Sequence, residues 1–358
     1  MYKSEVINRA INKKFTLIAE IGVNYYDIAT LHKTSLMEAA KLMIDEAKKA
    51  GIHAVKFQSY KAATLASKNS PAYWDLTEEP TTSQHELFKK FDAFGYEEYK
   101  ELKNYCDIKE IEFLSTAFDF DAADYLDELM EVYKISSSDL NNLPFVAYQA
   151  KKNKPIILSI GASTLDEIKN TLQEIRKYNN KPIILMHCVL EYPTPYEHAN
   201  LNKIVSLKDE FKDVIIGYSD HTKPDVSADV IKPAYNLGAI VVEKHFTLDN
   251  TLKGNDHYHS MYPADAQKII GGIKFIDNIR GSYELTFLES EKKSRENARR
   301  SIVASVNIPK GTYITEEMLT FKRPGNGISP SQIADVIGKI PIIDIKEDSL
   351  LGWEMLER

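Results

Sequence analysis

Between residues 15 and 280 one pattern recurs eight times: a short apolar, β-branched run, then an interval with apolar residues at helical spacing. Strand and helix in strict alternation dictate parallel strands, because each helix carries the chain back to the same starting edge. Eight such units in about 280 residues are enough to close a sheet on itself, so the expected fold is α/β, a TIM (β/α)8 barrel. A doubly wound open sheet is the alternative. It normally has fewer units, and no GxGxxG follows the first run.

The strand runs are Phe15–Ile21, Ala54–Phe57, Ile111–Ser115, Val132–Ser136, Pro155–Ser159, Ile183–Met186, Val214–Gly217 and Ile240–Glu243. A first helix opens at Ser35, spaced with Glu38 as a capping box, and stops at Gly51. Further helices are expected at Tyr96–Asp107, Asp121–Met130, Leu143–Asn153, Thr164–Tyr178, Leu201–Phe211, Ser227–Leu237 and Pro263–Arg280. The stretch from Phe57 to Phe94 is too long for a simple connection and reads as a functional excursion. Residues 281–300 are strongly charged and read as a linker, giving expected bounds of 1–283 for the barrel, 284–298 for the linker and 299–358 for a small β-rich domain. In that last domain VNIPKGTYITEEML and IDIKEDSLLGWEML echo each other, with Ile308 matching Ile345. This is either an internal pseudo-repeat or chance likeness between two amphipathic pieces.

Composition removes several functions. The net charge is −7 with scattered basic residues, which argues against nucleic acid as a partner. No run approaches the roughly 20 apolar residues of a membrane span, and the N-terminal residues lack a signal-peptide core. The two cysteines, Cys106 and Cys188, form no CxxC or zinc spacing, so a reducing, cytoplasmic location is expected.

In such a barrel the chemistry sits at the carboxyl ends of the strands. Those ends supply Glu20, Lys56, Gln58, Ser115, Thr116, Lys134, Ser137, Ser159, His187, Ser219, His221, Glu243, Lys244 and His245. His221 and His245 close neighbouring strands, with Asp220, Glu243 and Asp256 nearby. A lone histidine is more often structural, but the repeated arrangement among acids favours a shared divalent metal. Lysines among hydroxyls suit a phosphate or carboxylate dianion.

The motifs AEIGVN, VKFQ, FLSTAFD, KISSSD, HCVLEYPTPYE, GYSDHT, EKHFTLD and KRPGNGISP, in this order, resemble the sialic acid synthase family. The resemblance covers residue 15 to the end. It implies a TIM barrel joined to an antifreeze-like (SAF) domain, and a transferase that condenses phosphoenolpyruvate with an N-acyl hexosamine. By motif, His221 and His245 would be the metal ligands, with manganese first and magnesium or cobalt as alternatives. Glu20 would be the catalytic carboxylate. Lys56, Gln58, Thr116 and Lys134 would hold phosphoenolpyruvate, with Ser137, Ser159 and Ser219 around its phosphate. Tyr192, Asp256 and, from the C-terminal domain, Arg323 would face the sugar, and Glu243 and Lys244 would join the substrate contacts.

Where the family commonly has EIGxNHNG, this chain has Asn24-Tyr25-Tyr26-Asp27. Tyr25 and Tyr26 are expected on a loop at the barrel mouth, favouring a less hydrophilic sugar such as a 2,4-diacetamido-trideoxyhexose over N-acetylmannosamine. The polar linker is long enough to reach a neighbour, so a domain-swapped homodimer is expected, Arg323 completing the other subunit's site. Two alternatives remain: another phosphoenolpyruvate-dependent sugar-acid synthase, or a non-catalytic carbohydrate-binding barrel.

Overall fold

The β-branched runs become eight parallel strands that pair in chain order and close, the first against the last. The computed structural model describes residues 1–224, 230–254 and 256–357. The strands are β1 (Thr16–Gly22), β2 (Ala54–Ser59), β3 (Glu112–Ala117), β4 (Tyr133–Ile135), β5 (Ile156–Ser159), β6 (Ile183–His187), β7 (Ile215–Asp220) and β8 (Val241–His245). β2, β7 and β8 run two or three residues past their apolar cores. There the polar residues that end the sequence pattern still hold barrel register: Ser219 pairs with Glu243, and Glu20 with both Lys56 and His245.

The helices follow in order. They are α1 (Glu5–Ile11), α2 (Tyr25–His32), α3 (Leu36–Lys49), α4 (Ala62–Leu65), α5 (Gln84–Lys90), α6 (Tyr96–Ile108), α7 (Phe120–Leu129), α8 (Leu143–Lys151), α9 (Leu165–Tyr178), α10 (Asn202–Glu210), α11 (Ile231–Leu237) and α12 (Pro263–Arg280). Ser35 caps α3 by accepting the Glu38 amide, and Thr164 with Glu167 forms a reciprocal capping box on α9. The outer helices lay apolar stripes on the barrel, as in Ala39, Ala40, Met43, Ile44 and Ala47 of α3. The expected helix Ser227–Leu237 is present as α11, and residues 225–229 of that region lie outside the described residues.

Side-chain direction alternates along every strand, and that parity builds two cores. Leu17, Val55, Phe113, Tyr133, Leu158, Leu185, Ile216 and Val242 face the helices. Ile18, Ala54, Leu114, Ile157, Ile184 and Val241 face inward and pack on Val6, Ile7 and Ala10 of α1. The sequence reading left α1 out. It closes the amino-terminal end of the barrel, fixed by the Val6 amide, which donates to Glu112 Oε2 at 2.7 Å. Gly217 also faces the inner core, where a Cβ would come 2.7 Å from the Val241 carbonyl.

One expectation fails in this layer. Tyr25 and Tyr26 do not lie on a mouth loop; they open α2. Tyr25 is wholly buried, stacked on Phe94 and edge-on to Phe57, while the Tyr26 hydroxyl accepts the Ala93 amide at 2.8 Å. Two rings beside Phe57 and Phe94 remove far more apolar area from water inside the shell than on a loop.

Residues 281–358 form a second compact unit. Its charged start contains an exposed helix, α13 (Lys292–Ala298). Two short antiparallel strands, β9 (Ser301–Ala304) and β10 (Leu319–Lys322), and a short helix α14 (Ile333–Val336) surround Ile302, Ile308, Ile314, Ile328, Ile345 and Leu356. The two echoing segments are structurally alike. Ile308 and Ile345 exchange backbone hydrogen bonds at 2.8 and 2.9 Å, and each segment ends in a 3-10 turn, Glu316–Met318 or Trp353–Met355.

Because Ile7 is fully buried at the barrel end opposite the polar strand tips, Ile7→Ala should lower the unfolding free energy by about 2–5 kcal/mol. Urea titration measures this. Ligand affinity of the folded protein should stay unchanged.

Candidate active site at the carboxyl ends of the strands

The inward parity that buries Ile18, Ala54 and Val241 also decides which polar side chains enter the barrel two residues later. Glu20, Lys56, Thr116, Lys134, Ser159, Ser219, Glu243 and His245 fall on that face and line one cavity of about 360 Å³. Gln58, Ser137, Tyr192, His221 and Asp256 join them from the strand ends and loops. Lys244 is the exception among the barrel residues expected in the site, and the structure corrects it. Its neighbours on β8 point inward, so its own side chain points out with Val242. Its ammonium is taken by Asp220 Oδ2 at 2.5 Å and the Thr222 carbonyl at 2.7 Å. Ser115 and His187 also face outward, onto Ser59 and the Ala199 carbonyl. Arg323 is exposed in the second unit.

At the floor of the cavity two ammonium groups and two carboxylates are buried together. Lys56 Nζ lies 2.5 Å from Glu20 Oε2, 2.9 Å from Thr116 Oγ1 and 3.7 Å from Glu243 Oε1. Lys134 Nζ is 3.6 Å from the same Glu243 oxygen, which also accepts from Ser219 at 3.2 Å. Gln58 donates to Glu20 Oε1 at 2.8 Å. The two carboxyls are pushed apart. Burial raises Glu20 above the usual range, and the Glu243 charge adds to this against the opposing pull of Lys56. Burial also works on Glu243, but Lys134 and Lys56 outweigh it and hold that group ionised. Burial lowers Lys134, with Lys56 adding to the effect, whereas Glu20 and Glu243 outweigh burial at Lys56 and raise it.

The cavity's other side is built from imidazoles. The His221 Nδ1 is 2.6 Å from the Val189 carbonyl, so it carries the proton and leaves the Nε2 lone pair as an acceptor, with Ser219 Oγ 3.5 Å away. The His221 ring packs against Tyr192, centres 4.2 Å apart and planes tilted by 35°, and its centre is 5.7 Å from that of His245. His259, which the sequence reading passed over, lies nearer to His245, at 4.7 Å. His245, Asp256 and His259 offer ligand atoms all within 4.8 Å of one another. Burial lowers His221, His245 and His259, His221 to about 4, so the imidazoles stand neutral; burial raises Asp256 to about 7, with Glu20 pushing the same way.

Several buried polar atoms here have no hydrogen-bond partner: Ser159 Oγ, Glu243 Oε2, His245 Nδ1 and both ring nitrogens of His259. Such atoms normally find partners; three of them, on Ser159, Glu243 and His245, belong to residues that line the cavity, which is shaped for something that supplies those partners. The donor set, imidazole with carboxylate, fits a borderline divalent cation. A further part of the lining comes from the excursion after β2, which brings Tyr60, Leu65, Tyr73, Trp74 and Phe88 to the cavity.

Both units of the chain match known protein families. The family model described as NeuB family matches residues 43–284, and that of the SAF domain matches residues 299–357. The N,N'-diacetyllegionaminic acid synthase of Campylobacter jejuni is 38% identical over 95% of this chain and 99% of that protein. The human N-acetylneuraminate-9-phosphate synthase is 31% identical over 95% of the chain and 92% of that protein. A crystal structure of the N-acetylneuraminic acid synthetase of Leptospira borgpetersenii in complex with citrate is 32% identical, with a TM-score of 0.66 over 78% of this chain and 90% of that one.

Removing one member of a buried ion cluster leaves the others uncompensated. Lys56→Met should therefore cost about 3–5 kcal/mol of stability, and adding Glu20→Gln should restore part of it. Chemical unfolding of the single and double variants measures both. A loss in Lys56→Met that Glu20→Gln does not reduce would show that the two groups are not coupled.

Proposed function

The chain belongs to the NeuB family, the sialic acid synthases, and from that premise we propose that it condenses phosphoenolpyruvate with an open-chain N-acyl hexosamine, releasing phosphate and a nine-carbon sialic-type acid. The observation that carries this reading is one cavity holding two buried lysines, a pair of unequal carboxyls, and a second group of neutral nitrogen donors. An anion and a carbonyl can be held side by side there.

Lys134, with Ser137, Ser159 and Ser219, would bind the phosphate, while Lys56, Gln58 and Thr116 hold the enolpyruvate in reach of the aldehyde. A bond forms from C3 of the enolpyruvate to the aldehyde carbon, whose oxygen takes up a proton. Water adds at C2, and the C2–O bond to phosphate breaks as the ketone forms. Glu20, raised by burial while Glu243 stays charged, is suited to accept the proton of that water and to give one to the new alkoxide. Tyr192 and Asp256 would orient the sugar. A divalent ion, manganese first, would be held at His245 with His221 as the partner that family resemblance names, and when bound it supplies Lewis acidity toward a carbonyl oxygen.

For the acceptor we favour a 2,4-diacetamido-trideoxyhexose over N-acetylmannosamine. Support comes from the aromatic and aliphatic wall of Tyr60, Leu65, Tyr73, Trp74 and Phe88, which suits a deoxygenated carbon beside acetamido groups, and from likeness to a legionaminic acid synthase. The reading extends to a cytoplasmic homodimer in which each C-terminal domain covers its partner's barrel mouth and Arg323 contacts the sugar there.

Incubation with phosphoenolpyruvate, manganese and a panel of N-acyl hexoses, followed by phosphate release and product mass, tests the reaction. Faster turnover of N-acetylmannosamine would reverse the acceptor assignment. Lys134→Ala should raise the KM for phosphoenolpyruvate roughly 10–100-fold, from about 1.5–3 kcal/mol for a charged hydrogen bond, while that for the sugar moves little. Mixing an Arg323→Ala chain with a Glu20→Ala chain should restore activity to two inactive preparations. Subunit exchange without recovery would rule out the shared site.

A further inference from the structure

Asp256 reaches the cavity from the loop between β8 and α12. Its carboxyl stands off from the two imidazoles beside it: His245 Nδ1 is 3.7 Å from Oδ2 and His259 Nε2 is 3.9 Å from Oδ1, both beyond hydrogen-bond range. What places this carboxyl is therefore its main chain. A long connection without a helix of its own keeps one position only where it is tied down.

The ties come from the segment that opens α2. At the base of the loop the Met261 amide donates to the His245 carbonyl at 2.8 Å, and the Thr247 amide to the Met261 carbonyl at 3.1 Å. Asn24, the residue before α2, donates to the Phe246 carbonyl at 3.0 Å and to Ser260 Oγ at 3.3 Å. That hydroxyl in turn donates to the Asp256 carbonyl. Nearer the tip, His257 is wholly buried and both its ring nitrogens are engaged. Asp27 Oδ2 lies 3.1 Å from Nε2, and Thr247 Oγ1 lies 2.7 Å from Nδ1. With an acceptor at Asp27, Nε2 donates and Nδ1 accepts the Thr247 hydroxyl, whose oxygen also takes the Asp249 amide at 3.2 Å. The result is a continuous strut, Asp27–His257–Thr247, from α2 to the residue next to Asp256.

The strut is peculiar to this sequence. Asp27 stands where the motif EIGxNHNG has its last glycine, so a chain that keeps the glycine has no carboxylate there. Asp27 also sits in the first turn of α2, where a helix favours negative charge, and its side chain is only half-buried. Nothing in the packing of the shell demands it.

We propose that Asp27 is a positioning residue: through His257 and Thr247 it holds the loop that presents Asp256 to the cavity, and so governs how the acceptor sugar is oriented. The role of Asp256 rests on the synthase reading; the strut does not.

Amide hydrogen exchange and steady-state kinetics of the full-length protein test this, for the wild type, Asp27→Ala and Asp27→Asn, with N-acetylmannosamine and the 2,4-diacetamido-trideoxyhexose as acceptors. In Asp27→Ala the amides of Thr247 and Ser260 should exchange about 10-fold faster or more, while those of β8 keep their rates. The kcat/KM for the acceptor should fall on the order of 10–100-fold, and the KM for phosphoenolpyruvate should move little. Asp27→Asn keeps an oxygen that accepts from Nε2 and should stay near wild type in both measurements. Unchanged exchange in Asp27→Ala overturns the strut. Faster exchange with unchanged acceptor kinetics overturns the positioning role, as does an equal loss toward both substrates with a lowered Tm. If Asp27→Ala does not fold, Thr247→Val, which removes the hydroxyl at the far end of the strut, is measured in its place against the same outcomes. A wild type that turns over neither acceptor removes the synthase reading, and the exchange rates then decide the strut by themselves.

Discussion

Two ammonium groups and two carboxylates share the inside of the barrel, and much of the site follows from the need to keep them there. Lys56 touches both Glu20 and Glu243, and Lys134 reaches Glu243 alone. None of these charges is stable in such a place by itself. Each is tolerable because the strand register sets an opposite charge on an adjacent strand, as with Glu20 beside Lys56. The quartet is also unsymmetrical. Glu243 answers to two lysines and Glu20 chiefly to one, so two chemically equal side chains differ in proton affinity. An anion arriving at Lys134 would compete with Glu243 for it, which ties ligand binding to the charge state of the floor.

The architecture was legible because a closed parallel barrel writes itself twice into a sequence, as strand–helix alternation and as apolar period. The strands fell where the β-branched runs predicted them, within a few residues. The polar tips of β7 and β8 were cut short because Ser219, Asp220, Lys244 and His245 are not apolar, although they lie in the sheet. Lys244 shows what a list of strand ends lacks. Position along a strand says how near a residue is to the mouth, and only parity says which side of the wall it faces. Counting by twos from Val241 gives Glu243 and His245 and passes over Lys244.

Other features needed three dimensions. α1 is too short and too polar in sequence to announce itself, and its worth lies in Val6, Ile7 and Ala10 meeting a core that no local pattern describes. Tyr25 was placed at the mouth because the family has small polar residues there; the neighbouring Phe57 and Phe94 draw it into the shell instead. His259 carried a signal that was overlooked: a histidine three residues after an acid, in the loop that follows another histidine. Its burial, and the want of any partner for its ring, could be known only from the fold.

The helix that seals the bottom of the barrel has a bearing on how the protein is made. α1 leaves the ribosome before any strand, yet its docking surface is assembled from Ile18, Ala54, Leu114, Ile157, Ile184 and Val241. Those residues span more than 220 positions of chain, and the last is synthesised when most of the protein already exists. Contacts of such long range form late. During synthesis, therefore, the apolar side of the first helix waits without a home, and chaperones or stray aggregation can reach it. An element made before every strand of the barrel is among the last that can be put away.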